Sequence, residues 1–369
     1  MSDSPKKKSA LRVMPGVAGG HEGLPGNQTP AKDASAPKRR RLTTEEIVKG
    51  VLAGDRVVLA RAITLVESNA DRDFEQAQEV LKQILPHAGG SLRIGITGVP
   101  GAGKSTLIEA LGMRLIESGK KVGVTAVDPT STRTGGSILG DKTRMEQLAA
   151  DPRAFIRPSP TGGALGGVGR KTRETILLME AAGYDVILVE TVGVGQSEVT
   201  VRSMVDFFLL ILVAGAGDEL QGIKRGVVEL ADAVLVHKAD GDNLKRAKVA
   251  RGDYERALHY LQPATEGWTV PVMIASSLTG DGIPEIWKTA ERFRGSTEAT
   301  GVFKQRRSEQ ARDWVHAMVK DHLNTLFHRH PDVKKLLPEL ERAVMKGELP
   351  ASTAANRLID VFRGETSVE

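Results

Sequence analysis

The chain has 369 residues, no cysteine, a formal net charge of +5, 40% hydrophobic residues and only 4% aromatic ones. The missing cysteines exclude a disulfide framework, a thiolate metal site and a cysteine nucleophile, so stability has to come from a packed core. Few aromatics leave little for base stacking, no apolar run nears the roughly 20 residues of a membrane span, and no apolar stretch of a secretory signal stands at the start. The chain therefore reads as cytoplasmic, with neither nucleic acid nor membrane as partner.

Residues 1–41 are rich in Gly, Pro, Ser, Lys and Arg and hold much of the positive charge, in Lys6, Lys7 and Lys8 and again in Lys38, Arg39, Arg40 and Arg41. With no apolar period they cannot offset their ordering entropy, and a disordered basic arm is expected. Residues 42–90 read as a helical module. Thr43-x-x-Glu46 is a capping box ahead of Ile47, Val51 and Leu52, and Asp55 can cap a second helix with Leu59, Ile63, Leu65 and Val66 on one side. A third helix around Ala77 to Leu85 stops at Pro86 and Gly89-Gly90.

From residue 91 to 295 short apolar runs alternate with helix-length amphipathic stretches. Strands are expected at 92–97, 122–127, 186–190, 207–213, 233–236 and 272–275. This alternation predicts an α/β fold with a mostly parallel, doubly wound sheet, flanked by N-terminal and C-terminal helical extensions. Residues 296–369 form the C-terminal arm, with helical periodicity over 305–363 broken at Pro331 and Gly347.

The segment Gly98-Val99-Pro100-Gly101-Ala102-Gly103-Lys104-Ser105 follows the first strand and precedes an amphipathic helix, which is the setting a phosphate-binding loop of a P-loop NTPase requires. Its glycines let backbone N–H groups turn toward phosphate oxygens, and the helix N-terminus favours the anion, with Thr106 in its first turn. Lys104 suits the β- and γ-phosphates, and the Ser105 hydroxyl suits Mg²⁺.

A phosphate loop alone does not choose a base or a reaction, so the later strand ends carry that information. The strand 186–190 ends in Glu190, followed by Thr191-Val192-Gly193, a carboxylate where a Mg²⁺-associated group belongs and a glycine whose N–H can meet a γ-phosphate. After the second strand, Asp128 opens a polar, Gly-rich loop containing Arg133 and leading to Asp141. Asp128 and Asp141 are candidate metal-associated carboxylates, and Asp141 can instead cap the helix that contains Met145 and Leu148. Arg133 is a candidate internal arginine finger or a structural ion pair.

Base selection usually employs Asn-Lys-x-Asp after a strand, with the aspartate accepting from guanine N1–H and the 2-amino group. Here the run is His237-Lys238-Ala239-Asp240. The carboxylate and the lysine stem are kept, and a neutral imidazole can donate one hydrogen bond to the guanine or the loop. Ser276-Ser277 suits the remaining guanine-contacting loop, where Ser-Ala is usual.

Three blocks together resemble the MeaB/ArgK family of G proteins: Val127 through Met145, Glu190 through Glu198, and Gly215 through Lys224. The resemblance spans about residues 42–345. It implies a GTP-hydrolysing, Mg²⁺-dependent chaperone of adenosylcobalamin-dependent acyl-CoA mutases such as methylmalonyl-CoA mutase, gating cofactor loading and release. It also implies a homodimer formed largely through the C-terminal helices, and a cobalamin adenosyltransferase as a further partner. Asp218, Glu219, Gln221 and Lys224 would belong to a third switch that relays nucleotide state to the mutase. Hydrolysis is expected to be slow until a partner orders the loops, and adenosylcobalamin to stay with the mutase, since no Asp-x-His-x-x-Gly run is present.

Two rival readings follow from the same loop. Metal-insertion GTPases of hydrogenase or urease maturation share it, but here only His328-x-His330 offers a metal relay. An ATPase or kinase tied to amino-acid transport is disfavoured by Asp240, because adenine has no N1–H and 2-amino pair.

Overall fold

Thr43 starts the first helix by the reciprocal bonds its sequence implied: Glu46 N–H donates to Thr43 Oγ1 at 3.2 Å, and Thr43 N–H donates to Glu46 Oε2 at 2.8 Å. The computed structural model describes residues 40–127, 145–158, 165–191, 197–215 and 225–365. Helix α1 (Thr44–Leu52) is followed by α2 (Arg56–Glu67), capped by Asp55 Oδ1 at 2.8 and 3.0 Å from the Val57 and Val58 amides, and by α3 (Asp71–Ile84). Their apolar stripes, Ile47 and Val51, Leu59 and Ile63, Val80 and Ile84, are buried together. A short 3₁₀ turn over Leu85–His87 ends the module.

The α/β region then runs β1 (Leu92–Gly98), α4 (Lys104–Glu117), β2 (Val122–Val127), α5 (Glu146–Ala150), β3 (Ala154–Arg157), α6 (Leu165–Ala181) and β4 (Val186–Thr191). It continues through α7 (Ser197–Arg202), β5 (Phe207–Val213), α8 (Arg225–Glu229), β6 (Ala233–His237), α9 (Asn243–His259), β7 (Val272–Ile274) and α10 (Ile283–Thr300). The seven strands lie in the order β3-β2-β4-β1-β5-β6-β7, and every pair is parallel. Six of these strands were legible in the sequence. The seventh, β3, was not: it is a four-residue edge strand whose last two positions are only partly buried, so it lacks a long apolar run.

Because the sheet is covered on both faces, its strands are almost continuously buried. On one face Leu107, Leu111 and Leu115 of α4 and Ile286 and Phe293 of α10 pack on Ile94, Ile96, Leu188 and Phe207. Phe293 meets the edges of Phe207 and Trp268, with ring centroids 5.2 and 5.0 Å apart. On the other face α6 and α7 lie over β2, β4 and β1, and α9 lies over β6 and β7.

Glu180 near the end of α6 ties the N-terminal module to the sheet. It accepts from Gly89 N–H, Ser91 Oγ and both Arg93 Nε and Nη2, at 2.7–2.9 Å. Burial favours the neutral acid, but these donors prevail and hold its pKa below the usual carboxylate range.

After α10 the chain is helical to its described end: α11 (Val302–Arg329), α12 (Pro331–Met345) and α13 (Ala351–Arg363). Pro331 begins α12, where a missing N–H costs nothing, and α12 and α13 pack through Val333, Leu340, Ala354 and Leu358. From Thr43 onward the described residues make one compact unit.

Candidate nucleotide site

The central strand β1 has β4 on one side and β5 on the other, so chain connections leave it in opposite directions and a crevice opens at its C-terminal end. The loop 98–103 fills that crevice and delivers the backbone into α4. Gly98, at φ 155°, could not carry a side chain, because a Cβ there would sit 2.3 Å from the Ile211 carbonyl oxygen of β5. Gly103, at φ 88°, has a second constraint: a Cβ would come within 2.8 Å of the His237 ring. Ala102 is buried between them, while Pro100, Gly101 and Thr106 are exposed around the loop.

Lys104 is buried, and its ammonium donates to the carbonyls of Gly98 at 2.9 Å and Val99 at 3.3 Å. Burial lowers its pKa, against the charges of Glu190 and Glu198, which act to raise it. Beside it, Ser105 Oγ lies 3.1 and 3.4 Å from the two oxygens of Glu190. Glu190 reaches that point because β4 pairs with β1 in a register that sets it level with Ile96. A buried bond of 2.9 Å between Thr191 Oγ1 and Thr97 Oγ1 locks the same two strand ends.

The base-recognition segment meets the phosphate loop through His237, the last residue of β6. Its Nδ1 is 2.7 Å from the Ala102 carbonyl oxygen and its Nε2 is 2.7 Å from Ser277 Oγ. A carbonyl can only accept, so Nδ1 carries the proton and the neutral ring accepts at Nε2 from the serine hydroxyl. Burial lowers the imidazole pKa and favours this neutral form. Both ring nitrogens are thus used within the protein, and His237 ties the base-recognition segment to the phosphate loop. Its two departures from the usual pattern, His for Asn and Ser for Ala, are hydrogen-bonded to each other.

Asp240 accepts a 2.5 Å bond from Ser276 Oγ, and that hydroxyl in turn accepts from the Leu278 and Thr279 amides at 3.2 and 3.3 Å. The carboxylate is therefore aimed by a fully buried serine while remaining partly exposed, with lone pairs left for two N–H donors. Lys238 takes the left-handed conformation at φ 57°, and its stem passes over Gly103. A phosphate loop, a metal-type hydroxyl and carboxylate pair, and a guanine-type carboxylate thus share one edge of one sheet.

The family described as methylmalonyl-CoA mutase-associated GTPase MeaB matches residues 59–332. The chain belongs to the MeaB family of GTPases. A Caulobacter vibrioides protein named for GTPase activity is 55% identical over 321 residues, covering 87% of this chain and 98% of the relative. The mouse methylmalonic aciduria type A homolog, a mitochondrial protein, is 44% identical over 329 residues, covering 86% of this chain and 79% of its own length. Among solved structures, the crystal structure of a protein described as LAO/AO transport system kinase superposes with a TM-score of 0.70 at 38% identity, covering 88% of this chain and 99% of that one.

Ser105 and Glu190 offer a MeaB-family GTPase the hard oxygen donors that Mg²⁺ selects, close enough together to share one ion and its waters, so the residues present fit that metal. Of the other residues singled out in the sequence, Asp128, Arg133, Asp141, Gly193, Asp218, Glu219, Gln221 and Lys224 lie outside the described residues. His328 and His330 stand at the junction of α11 and α12, where their rings contact Phe327 and Phe362. No described group of three or more His, Cys, Asp or Glu is placed to hold a metal, and no described helix is long and apolar enough to cross a membrane.

Sequence reasoning did not assign a role to Glu198, Thr97 or Thr191, nor anticipate that Ser277 serves His237. Thr191 adjoined a quoted motif, but its partner stands 94 positions away. Nothing local to either threonine announces the other.

Proposed function

We propose that this chain is a GTP-hydrolysing chaperone that gates cofactor loading and release in an adenosylcobalamin-dependent acyl-CoA mutase. The observation that carries the GTP half is the Asp240 carboxylate, held by Ser276 on the same sheet edge as Lys104, Ser105 and Glu190. Adenine presents no paired donors to such a carboxylate, so Asp240 would satisfy its lone pairs with guanine and leave them partly unmet with ATP. Lys104 would neutralise the β- and γ-phosphates, and Ser105 and Glu190 would hold Mg²⁺, directly or through water. Bound there, the ion would offset charge on the phosphate oxygens. Gly193 would contact the γ-phosphate, Asp128 and Asp141 would order the metal's waters, and Arg133 would approach the transition state.

The mutase half is supported by the names of the family and of the mouse relative. Asp218, Glu219, Gln221 and Lys224 would form the loop that reports nucleotide state to the mutase, and adenosylcobalamin would remain there. A homodimer through the C-terminal helices is supported by Val315, Val319, Leu323 and Leu326, an exposed apolar series at helical spacing on α11. A cobalamin adenosyltransferase would be a transient third partner.

The test compares GTP and ATP binding by calorimetry with Mg²⁺ present. We expect GTP to bind at least 100-fold more tightly, a preference that Asp240→Asn abolishes. Equal affinity for ATP would instead favour the transport-linked kinase reading, in keeping with the name of the structural relative.

A further inference from the structure

The six-residue helix α7 has one end at the phosphate loop and the other in the grip of the C-terminal arm. At its N-terminal end the buried Glu198 exerts its charge on Lys104. It rests on β1 so closely that a Cβ on Gly95 would meet the Val201 side chain at 2.9 Å, and that of Val205 in the following turn at the same distance. Thr200 touches α6 at Gly169, where a Cβ would come within 3.0 Å of its methyl group.

The turn from Ser203 to Asp206, which leads from α7 into β5, is held by side chains from two other helices. Gln310 Nε2 of α11 donates to the carbonyls of Arg202 at 3.3 Å and Val205 at 2.8 Å. Arg173 of α6 donates to the Ser203 carbonyl at 2.6 Å and Ser203 Oγ at 2.8 Å, and its other nitrogen donates to the Gln310 carbonyl at 2.9 Å. Arg306 of α11 donates to the Asp206 carbonyl. Arg306 and Arg202 also share the fully buried Asp232 carboxylate, at 3.3–3.5 Å. Displacing the end of α7 would break these bonds or carry α11 with it.

We propose that Gln310, with Arg173 and Arg306, is a positioning residue for GTP hydrolysis, clamping α11 to the end of α7 so that nucleotide state and the C-terminal arm bias each other. This rests on the assignment of the loop 98–105 to GTP. Helix α7 follows the metal-side strand β4 after five residues of sequence, so a shift at the end of β4 would bear on α7, and beyond it on the turn that α11 holds. Coupling of this kind is reciprocal: the arm sets the geometry of α7, and nucleotide sets the freedom of the arm.

The experiment uses the full chain and two variants, Gln310→Met, which keeps size and helix propensity but removes both donors, and Gln310→Lys, which restores a donor. Each is checked by circular dichroism to be folded at the assay temperature. The readouts are kcat and KM for GTP, GDP affinity, and hydrogen exchange of α11 amides with GDP and with a non-hydrolysable GTP analogue. We expect Gln310→Met to lower kcat at least fivefold with KM and GDP affinity within twofold, and to erase the difference in α11 exchange between the nucleotides. Gln310→Lys should recover most of both. Arg173→Lys, retaining charge but losing the two-pronged contact, should show an intermediate loss if Gln310→Met proves too unstable to assay. Unchanged kcat with an unchanged exchange difference overturns the clamp. So does parallel loss of GDP binding and hydrolysis, which marks a structural role only. Failure of the unaltered protein to bind GTP overturns the nucleotide assignment instead.

Discussion

The His237–Ser277 pair gives the sharpest prediction, because two departures from the usual base-recognition sequence meet at 2.7 Å. Replacing Ser277 by alanine removes one neutral hydrogen bond and leaves the buried Nε2 of His237 as an acceptor without a donor, a loss of about 1–2 kcal/mol. Replacing His237 by asparagine keeps a donor for the Ala102 carbonyl at the position of Nδ1, but an asparagine ends there and does not reach Ser277. In that background Ser277→Ala should therefore cost close to nothing. A double-mutant cycle on His237→Asn and Ser277→Ala should give a coupling energy of about 1 kcal/mol, or about fivefold in a dissociation constant. Binding of a fluorescent GDP analogue and chemical unfolding are the two assays. Additive effects, within about 0.3 kcal/mol in both, would refute the claim that the two substitutions form one unit.

Other expectations follow from single residues. Burial raises the Glu174 carboxyl pKa to about 7, against the charges of Arg170 and Lys171, which act to lower it. Its contribution is then complete below about pH 4.5 and declines as the pH rises through 7, by on the order of 3 kcal/mol. Glu174→Gln should flatten that part of the stability profile between pH 5 and 8 in denaturant titrations. For His237 the lowered pKa works the other way: its contribution is full above pH 6.5 and lost as the pH falls below it, so its share of folding stability should be flat from pH 7 to 8 and decline toward pH 5 in denaturant titrations, a decline that His237→Asn removes. Glu190→Gln should weaken Mg²⁺-dependent GTP binding by roughly tenfold or more while metal-free GDP binding changes little, since the carboxylate faces Ser105 and not the base. Gly98→Ala should abolish nucleotide binding, as the added methyl would collide with the Ile211 carbonyl in the central strand pair.

The sequence disclosed those parts of this molecule whose causes are local. The phosphate loop is contiguous, its glycines answer to its own backbone, and strand and helix flank it within a few positions. The caps at Thr43 and Asp55 were readable for the same reason. Strand β3 escaped because four residues at a sheet edge carry too little apolar signal to stand out from a loop. The role of His237 was only half legible: neutral imidazole chemistry was foreseeable, but its acceptor on Ala102 is 135 positions away and its serine partner 40. The grip of α11 on α7 was hidden altogether, since Gln310 and Arg306 look like ordinary polar residues on an exposed helix until the fold brings carbonyls about 100 positions distant to them.

The proposed function is tested most directly by the steady-state rate of GTP hydrolysis by the purified chain, alone and with a cobalamin-dependent acyl-CoA mutase from the same cell. Lys104→Ala serves as the control for the phosphate loop. The expected result is slow hydrolysis that the mutase accelerates at least tenfold, selective for GTP over ATP and absent in Lys104→Ala. Intact GTP binding with no acceleration by any such mutase would contradict it.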